Sequence, residues 1–237
     1  ITPGTVITNT LAPANETDLY RFTVAAGTKV FFDSISATGL PNAYWRCYGP
    51  NGENVLQNSF NDFGPITLES AGTYTLSVEG HYIDGGNGTY AFNVVSVNDG
   101  EQALALGSVV SGAISLPGQT QRYTFTLPAA ALLYFDSHTN SSLRWSLDSS
   151  AVNLVLNRGF SSSDAQSVTD PILRLAAGNY TVSVTGNGDA LGAFQFRLSD
   201  LATGTPLTPG NPVSGTLNPS NETDAYRFNA NAGDRFN

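Results

Sequence analysis

One cysteine, two histidines and no methionine leave this 237-residue chain few groups for redox, thiolate-metal or imidazole chemistry. A single cysteine rules out an internal disulfide framework and a thiolate metal cluster. Cys47 lies in Trp45-Arg46-Cys47-Tyr48, which aligns with Trp145-Ser146-Leu147-Asp148. Alternation along a strand puts 45 and 47 on one face, and Leu147 marks that face as apolar, so Cys47 is expected in a core and not as a nucleophile. His81 and His138 occupy unlike contexts. There is no Gly-x-Ser-x-Gly elbow, no His-Glu-x-x-His, no phosphate loop and no EF-hand pattern. Carboxylates such as Asp62, Glu69 and Asp84 are scattered, and nothing in the sequence pairs any two of them as a glycosidase would require. The chain is therefore not expected to be an enzyme. Positive charge is equally scarce, with 10 Lys and Arg against 19 Asp and Glu, a net charge of −9. That balance argues against nucleic acid as a partner, because phosphates need a basic surface. No run approaches the roughly 18 apolar residues that read as a membrane span, so no membrane insertion is expected.

What is present is repetition. Tyr20, Tyr123 and Tyr226 each stand 103 residues from the last, inside similar text: Asn15-Glu16-Thr17-Asp18-Leu19-Tyr20-Arg21-Phe22, then Gln119-Thr120-Gln121-Arg122-Tyr123-Thr124-Phe125, then Asn221-Glu222-Thr223-Asp224-Ala225-Tyr226-Arg227-Phe228. Phe32-Asp33 is answered by Phe135-Asp136, Trp45 by Trp145, Tyr74 by Tyr180 and Phe92 by Phe196. A period near 100 residues is too long for a solenoid, so each copy should be a domain with its own core. We place repeat 1 at 1–98, repeat 2 at 103–202 and the opening of a third at 208–237. The third copy is too short to bury a core alone. Further repeats of the same parent chain are expected beside these.

Each repeat reads as β-structure. Tyr20, Phe22 and Val24 alternate with polar residues, as do Tyr74, Leu76 and Val78, and Tyr90, Phe92 and Val94; repeat 2 specifies the same inward face with Tyr123, Phe125 and Leu127 and with Tyr180, Val182 and Val184. Period two over five or six residues is the mark of a half-buried strand. Gly- and Asn-rich turns separate the runs, at Ala26-Gly27, Gly49-Pro50-Asn51-Gly52 and Asp84 to Gly88. Seven or eight short strands per repeat imply an all-β fold of tandem antiparallel β-sandwich domains, jelly-roll or immunoglobulin-like. Residues 98–102 read as a polar joint, and 202–212, with three prolines, as a stiff extended spacer. Asn-x-Ser/Thr sequons at Asn15, Asn87, Asn140, Asn179 and Asn221 are what this composition yields by chance, and carry no functional reading.

The order of Glu-Thr-Asp-x-Tyr-x-Phe, an apolar strand ending in Asp, a Trp, then Gly-x-Tyr-x-Leu/Val-x-Val and Tyr/Phe-x-Phe resembles the bacterial pre-peptidase C-terminal (PPC) domain. The resemblance covers nearly all of both complete repeats and the start of the third. It implies non-catalytic β-sandwich modules, attached to secreted proteases or strung along bacterial surface proteins, some of which bind calcium and, in collagenases, collagen. Repeat 2 departs from the pattern, with Gln119 and Gln121 where its neighbours carry Glu16 with Asp18 and Glu222 with Asp224.

Two kinds of site are candidates. Glu16 and Asp18, two apart in an extended segment, project their carboxylates to one side, and Asn15 or Asp33 could add oxygens towards the 6 to 8 that calcium takes. Glu222 and Asp224 repeat the pair. The alternative is that these acids fasten turns and strand ends through backbone N–H groups. For ligand binding, sugar-stacking aromatics off the core register are Tyr82, Phe60 and Phe63, with Tyr44 and Tyr48 beside them. The expected function is a spacer or adhesion stalk in a large secreted or cell-surface bacterial protein, rigidified by calcium where the acidic pair is kept. The alternative is a targeting module that brings a secreted hydrolase to polysaccharide, collagen or another extracellular surface.

Overall fold

The computed structural model describes residues 1–139 and 141–236; Asn140, one of the sequon asparagines, and the terminal Asn237 lie outside the described residues. The chain divides into two compact units. Unit 1 comprises Ile1–Asp99 together with Ser115–Gln119 and Gly188–Ala190, and unit 2 comprises Gly100–Ile114, Thr120–Asn187 and Leu191–Asn237.

Unit 1 holds eight strands: β1 (Ile7–Leu11), β2 (Thr17–Val24), β3 (Thr28–Thr38), β4 (Tyr44–Tyr48), β5 (Asn54–Ser59), β6 (Phe63–Leu68), β7 (Gly72–Glu79) and β8 (Gly88–Ser96). They form two antiparallel sheets, ordered β1-β8-β3-β6 and β2-β7-β4-β5. The inward residues of both meet in one core that includes Phe22, Phe32, Trp45, Tyr74 and Phe92. At the β2–β3 turn Gly27 has φ +79°, and at the β4–β5 turn Gly52 has φ +82°, the left-handed backbone that makes glycine the ready choice there.

Unit 2 repeats the plan. Strands β10 (Val109–Ile114), β11 (Thr120–Leu127), β12 (Ala131–Ser137), β13 (Arg144–Ser149), β14 (Asn153–Gly159), β15 (Ile172–Leu175), β16 (Gly178–Thr185) and β17 (Gly192–Asp200) are ordered β10-β17-β12-β15 in one sheet and β14-β13-β16-β11 in the other. A short β9 (Gly100–Ala103) adds to β11 in parallel, so part of the stretch expected to be a polar joint is strand. The core holds Tyr123, Phe135, Trp145, Phe194 and Phe196, and no residue beyond 198 belongs to it. Residues 207–236 are mostly exposed, and the spacer around 202–212 begins with a 3-10 turn and β18 (Thr205–Pro206), which pairs with β19 (Tyr226–Arg227). The fold is thus all-β, built of antiparallel sandwiches, with two short parallel pairings.

Cys47 has no exposed surface and stands in register with Leu56 and Leu76. Burial pushes its thiol up to about 12, which leaves it a core side chain. Leu147 fills the same place in unit 2, also fully buried.

Candidate functional site

Both units place an aspartate at the same point on the outer face of a sheet. Phe32 and Phe135 point into the cores, so the next residues, Asp33 and Asp136, point out. Asp136 is nonetheless fully buried. Its Oδ2 accepts from Arg197 Nη2 at 2.8 Å, from His138 Nε2 at 3.0 Å and from the Thr223 amide at 3.2 Å. Arg197 is the cross-strand neighbour of Asp136 in β17. The guanidinium also donates to the Thr223 carbonyl at 2.7 Å, and Asn221 donates to the Ser137 carbonyl at 3.1 Å. Residues 221–223 are therefore held on the β12–β17 face of unit 2.

In unit 1 the cross-strand neighbour of Asp33 is Asn93, which brings no charge, and its buried Oδ1 has no partner. Burial first, then the charges of Asp62 and Asp189, push the Asp33 carboxyl above the usual carboxylate range. Carboxylate oxygens of Asp33, Asp62 and Asp189 all lie within 4.8 Å of one another, an arrangement able to hold a cation. Asp62 accepts from the Ser34 amide at 2.9 Å, and its counterpart Asp164 accepts from the Ser137 amide at 2.8 Å. Burial raises Asp164 as well.

The acidic pairs expected to bind calcium lie elsewhere. Glu16 Oε1 accepts from the Ala12 amide at 2.9 Å, and Glu222 Oε1 from the Asn218 amide at 3.0 Å. Gln119 Oε1 does the same with the Ser115 amide at 2.8 Å. The backbone closes the turn identically in all three, with the amides of Glu16, Gln119 and Glu222 donating to the carbonyls of Pro13, Leu116 and Pro219. A glutamine performs this task as well as a glutamate, so the task needs an oxygen and not a charge. Asp18 accepts from Asn9 Nδ2 at 2.9 Å and from the Tyr90 hydroxyl, which also bonds the Tyr20 hydroxyl. Burial and these hydrogen bonds raise the Tyr90 pKa. Asp224 takes a long contact of 3.5 Å from the Tyr226 hydroxyl. Of Glu16, Asp18, Asp33, Glu222 and Asp224, only Asp33 belongs to a group of three acids among the described residues.

The aromatic candidates separate sharply. Phe60 is 6% exposed and packs on Trp45 at a ring separation of 4.7 Å and on Tyr90 at 5.9 Å, so it is a core residue and not a stacking platform. Its counterpart Phe160 is buried as well, against Phe135 and Phe194. The sequence carried a signal for this, since Phe160 follows Phe60 by the same interval that separates Trp145 from Trp45. Phe63 opens β6 and leans on Phe32 at 6.5 Å, half-buried. Tyr82 alone of the three is open, 81% exposed, with the His81 ring at 4.4 Å. Sequence reasoning also passed over Arg197, Asp164 and the structural part of His138. For Arg197 no periodic signal existed, because asparagine occupies its place in unit 1.

No family model and no curated protein sequence matches the chain. Solved structures do align with it at low similarity. The CUB1-EGF-CUB2 domain of human MASP-1/3 is 9% identical, covering 82% of this chain and 99% of that one, with a TM-score of 0.23. The CUB1-EGF-CUB2 domains of rat MASP-1 are 7% identical, covering 83% and 98%, with a TM-score of 0.24. Tripeptidyl peptidase 2 is 10% identical, covering 84% of this chain and 24% of that one, with a TM-score of 0.25.

Proposed function

We propose that this chain is a non-catalytic pair of PPC-like β-sandwich modules in a secreted or cell-surface protein, acting as a spacer or adhesion stalk among further repeats of its kind. The observation that carries the reading is that the same eight strands occur twice in the same sheet order. A duplicated scaffold whose polar side chains are spent on its own turns and faces suits a spatial role. His138 is one of only two histidines, and it is buried against Asp136, which favours a structural role for it over proton transfer to a substrate.

Calcium belongs to the proposal in unit 1 only, at Asp33, Asp62 and Asp189, with Asn93 across the sheet from Asp33. Carboxylate oxygens from three residues suit Ca²⁺, with water completing the shell. Arg197, beside Asp136, takes the place of a cation in unit 2.

The test is depletion of the chain by insoluble polysaccharides and by collagen, with calcium and with chelator. Recovery of the whole protein in the supernatant is expected. Retention that disappears in Tyr82→Ala would replace the spacer with a targeting module.

A further inference from the structure

At the edge of one sheet of unit 2, Val152, Leu154 and Leu156 are exposed by 56%, 43% and 73%, while Val155 between the leucines is buried in the core. β14, which carries the leucines, is the outer strand of its sheet, paired with β13 on one side. From Val152 to Asn157 the text is Val-Asn-Leu-Val-Leu-Asn, a run without charge or proline. Edge strands are ordinarily blunted by lysine, proline or an inward charge, because an open edge with apolar side chains invites another strand.

The same edge of unit 1 shows that the fold does not require such a row. Val155 pairs with Leu147, and its counterpart Leu56 pairs with Cys47. The residues standing where Val152, Leu154 and Leu156 stand are therefore Glu53, Val55 and Gln57. Val55 packs on the core of unit 1, and the other two are polar. Unit 2 instead leaves three aliphatic side chains in water on a scaffold that elsewhere avoids it.

Charge at the two ends of the row selects the partner. β13 carries Arg144 opposite Gly159 and Asp148 opposite Asn153, and Arg158 lies opposite Trp145, so the edge is positive at one end and negative at the other. Two such edges meeting antiparallel bring unlike ends together twice, whereas a parallel meeting would oppose like charges. Two register shifts between β13 and β14 bend the strand, so the contact rests on the leucines more than on a long main-chain ladder.

We propose that the β14 edge of unit 2 pairs antiparallel with the β14 edge of a second copy of this chain, about Val155, so that Leu154 of each copy meets Leu156 of the other. The contact is isologous and closes as a pair. It goes beyond the spacer reading by giving such modules a lateral partner.

The area offered by one edge is small, so the pair should be weak, with a dissociation constant of about 10–500 μM in sedimentation velocity of the whole chain. Leu156→Lys should weaken it about tenfold or more with the circular dichroism unchanged, since the side chain is exposed and outside the core. Leu154→Lys should do the same. Asp148→Lys makes both ends of the edge positive and should weaken pairing by about threefold or more. A chain still monomeric at about 1 mM would overturn the pairing and leave the row to a different protein. Association as strong in Leu156→Lys would overturn it too, and association indifferent to Asp148→Lys would overturn the antiparallel arrangement. None of these results touches the spacer reading, which retention on a matrix in the depletion assay would overturn by itself.

Discussion

Units 1 and 2 share a fold and meet the same electrostatic problem with opposite solutions. Each has a carboxylate on the outer face of a sheet beside the core strand, Asp33 and Asp136. Unit 2 surrounds it with Arg197, His138 and the Thr223 amide. Unit 1 surrounds it with Asn93, Asp62 and Asp189, so burial and like charge both raise its pKa. The lesson is that a repeat can conserve its scaffold while one cross-strand residue decides whether a buried acid is neutralised from within or left for a proton or a cation.

The largest effects should test the sameness of the cores. Phe60→Ala and Phe160→Ala each remove a ring wedged among other aromatics, and each should destabilise its own unit by about 3–5 kcal/mol in urea unfolding. A small effect at Phe60 alone would mean the two cores are not equivalent. Next comes the difference itself. Arg197→Ala leaves Asp136 buried with one cation partner fewer and should cost unit 2 about 3 kcal/mol, while Asn93→Ala in unit 1 should cost under about 1 kcal/mol. Equal losses would erase the contrast.

A smaller effect concerns pH. At the acid end Asp33 is protonated in both folded and unfolded chains. As pH rises through the ordinary carboxylate value the unfolded chain ionises while folded Asp33 keeps its proton, so unit 1 loses stability until Asp33 ionises too. Thermal melts in chelator should show this decline, Asp33→Asn should abolish it, and calcium should restore unit 1 without affecting unit 2. The smallest change is expected for Glu16→Gln, within about 0.5 kcal/mol and with no loss of calcium response, because Gln119 already closes the same turn in its own repeat. Loss of calcium binding in that variant would return Glu16 to the metal site.

The strands and the inward face were legible because alternation and repetition report burial directly: Tyr74 and Tyr180, or Trp45 and Trp145, recur where packing needs them. Phe60 was legible in principle, through its interval to Phe160, but its polar surroundings in Asn58-Ser-Phe-Asn-Asp-Phe suggested a loop. The candidate sites were less legible. Glu16 and Asp18 looked like a chelating pair because they share a side of an extended segment, yet one bends back to a turn amide and the other bonds tyrosine hydroxyls.

By itself the sequence determined the β-strands, the period near 103 residues and the identity of most core side chains, because these follow from local alternation and self-similarity. Only the tertiary structure decided which acids meet, that Arg197 stands across from Asp136 where Asn93 stands across from Asp33, and that residues 221–223 sit on a sheet face. Those facts depend on strand order and register, which bring residues 60 to 90 positions apart within hydrogen-bonding distance, and no local pattern encodes them.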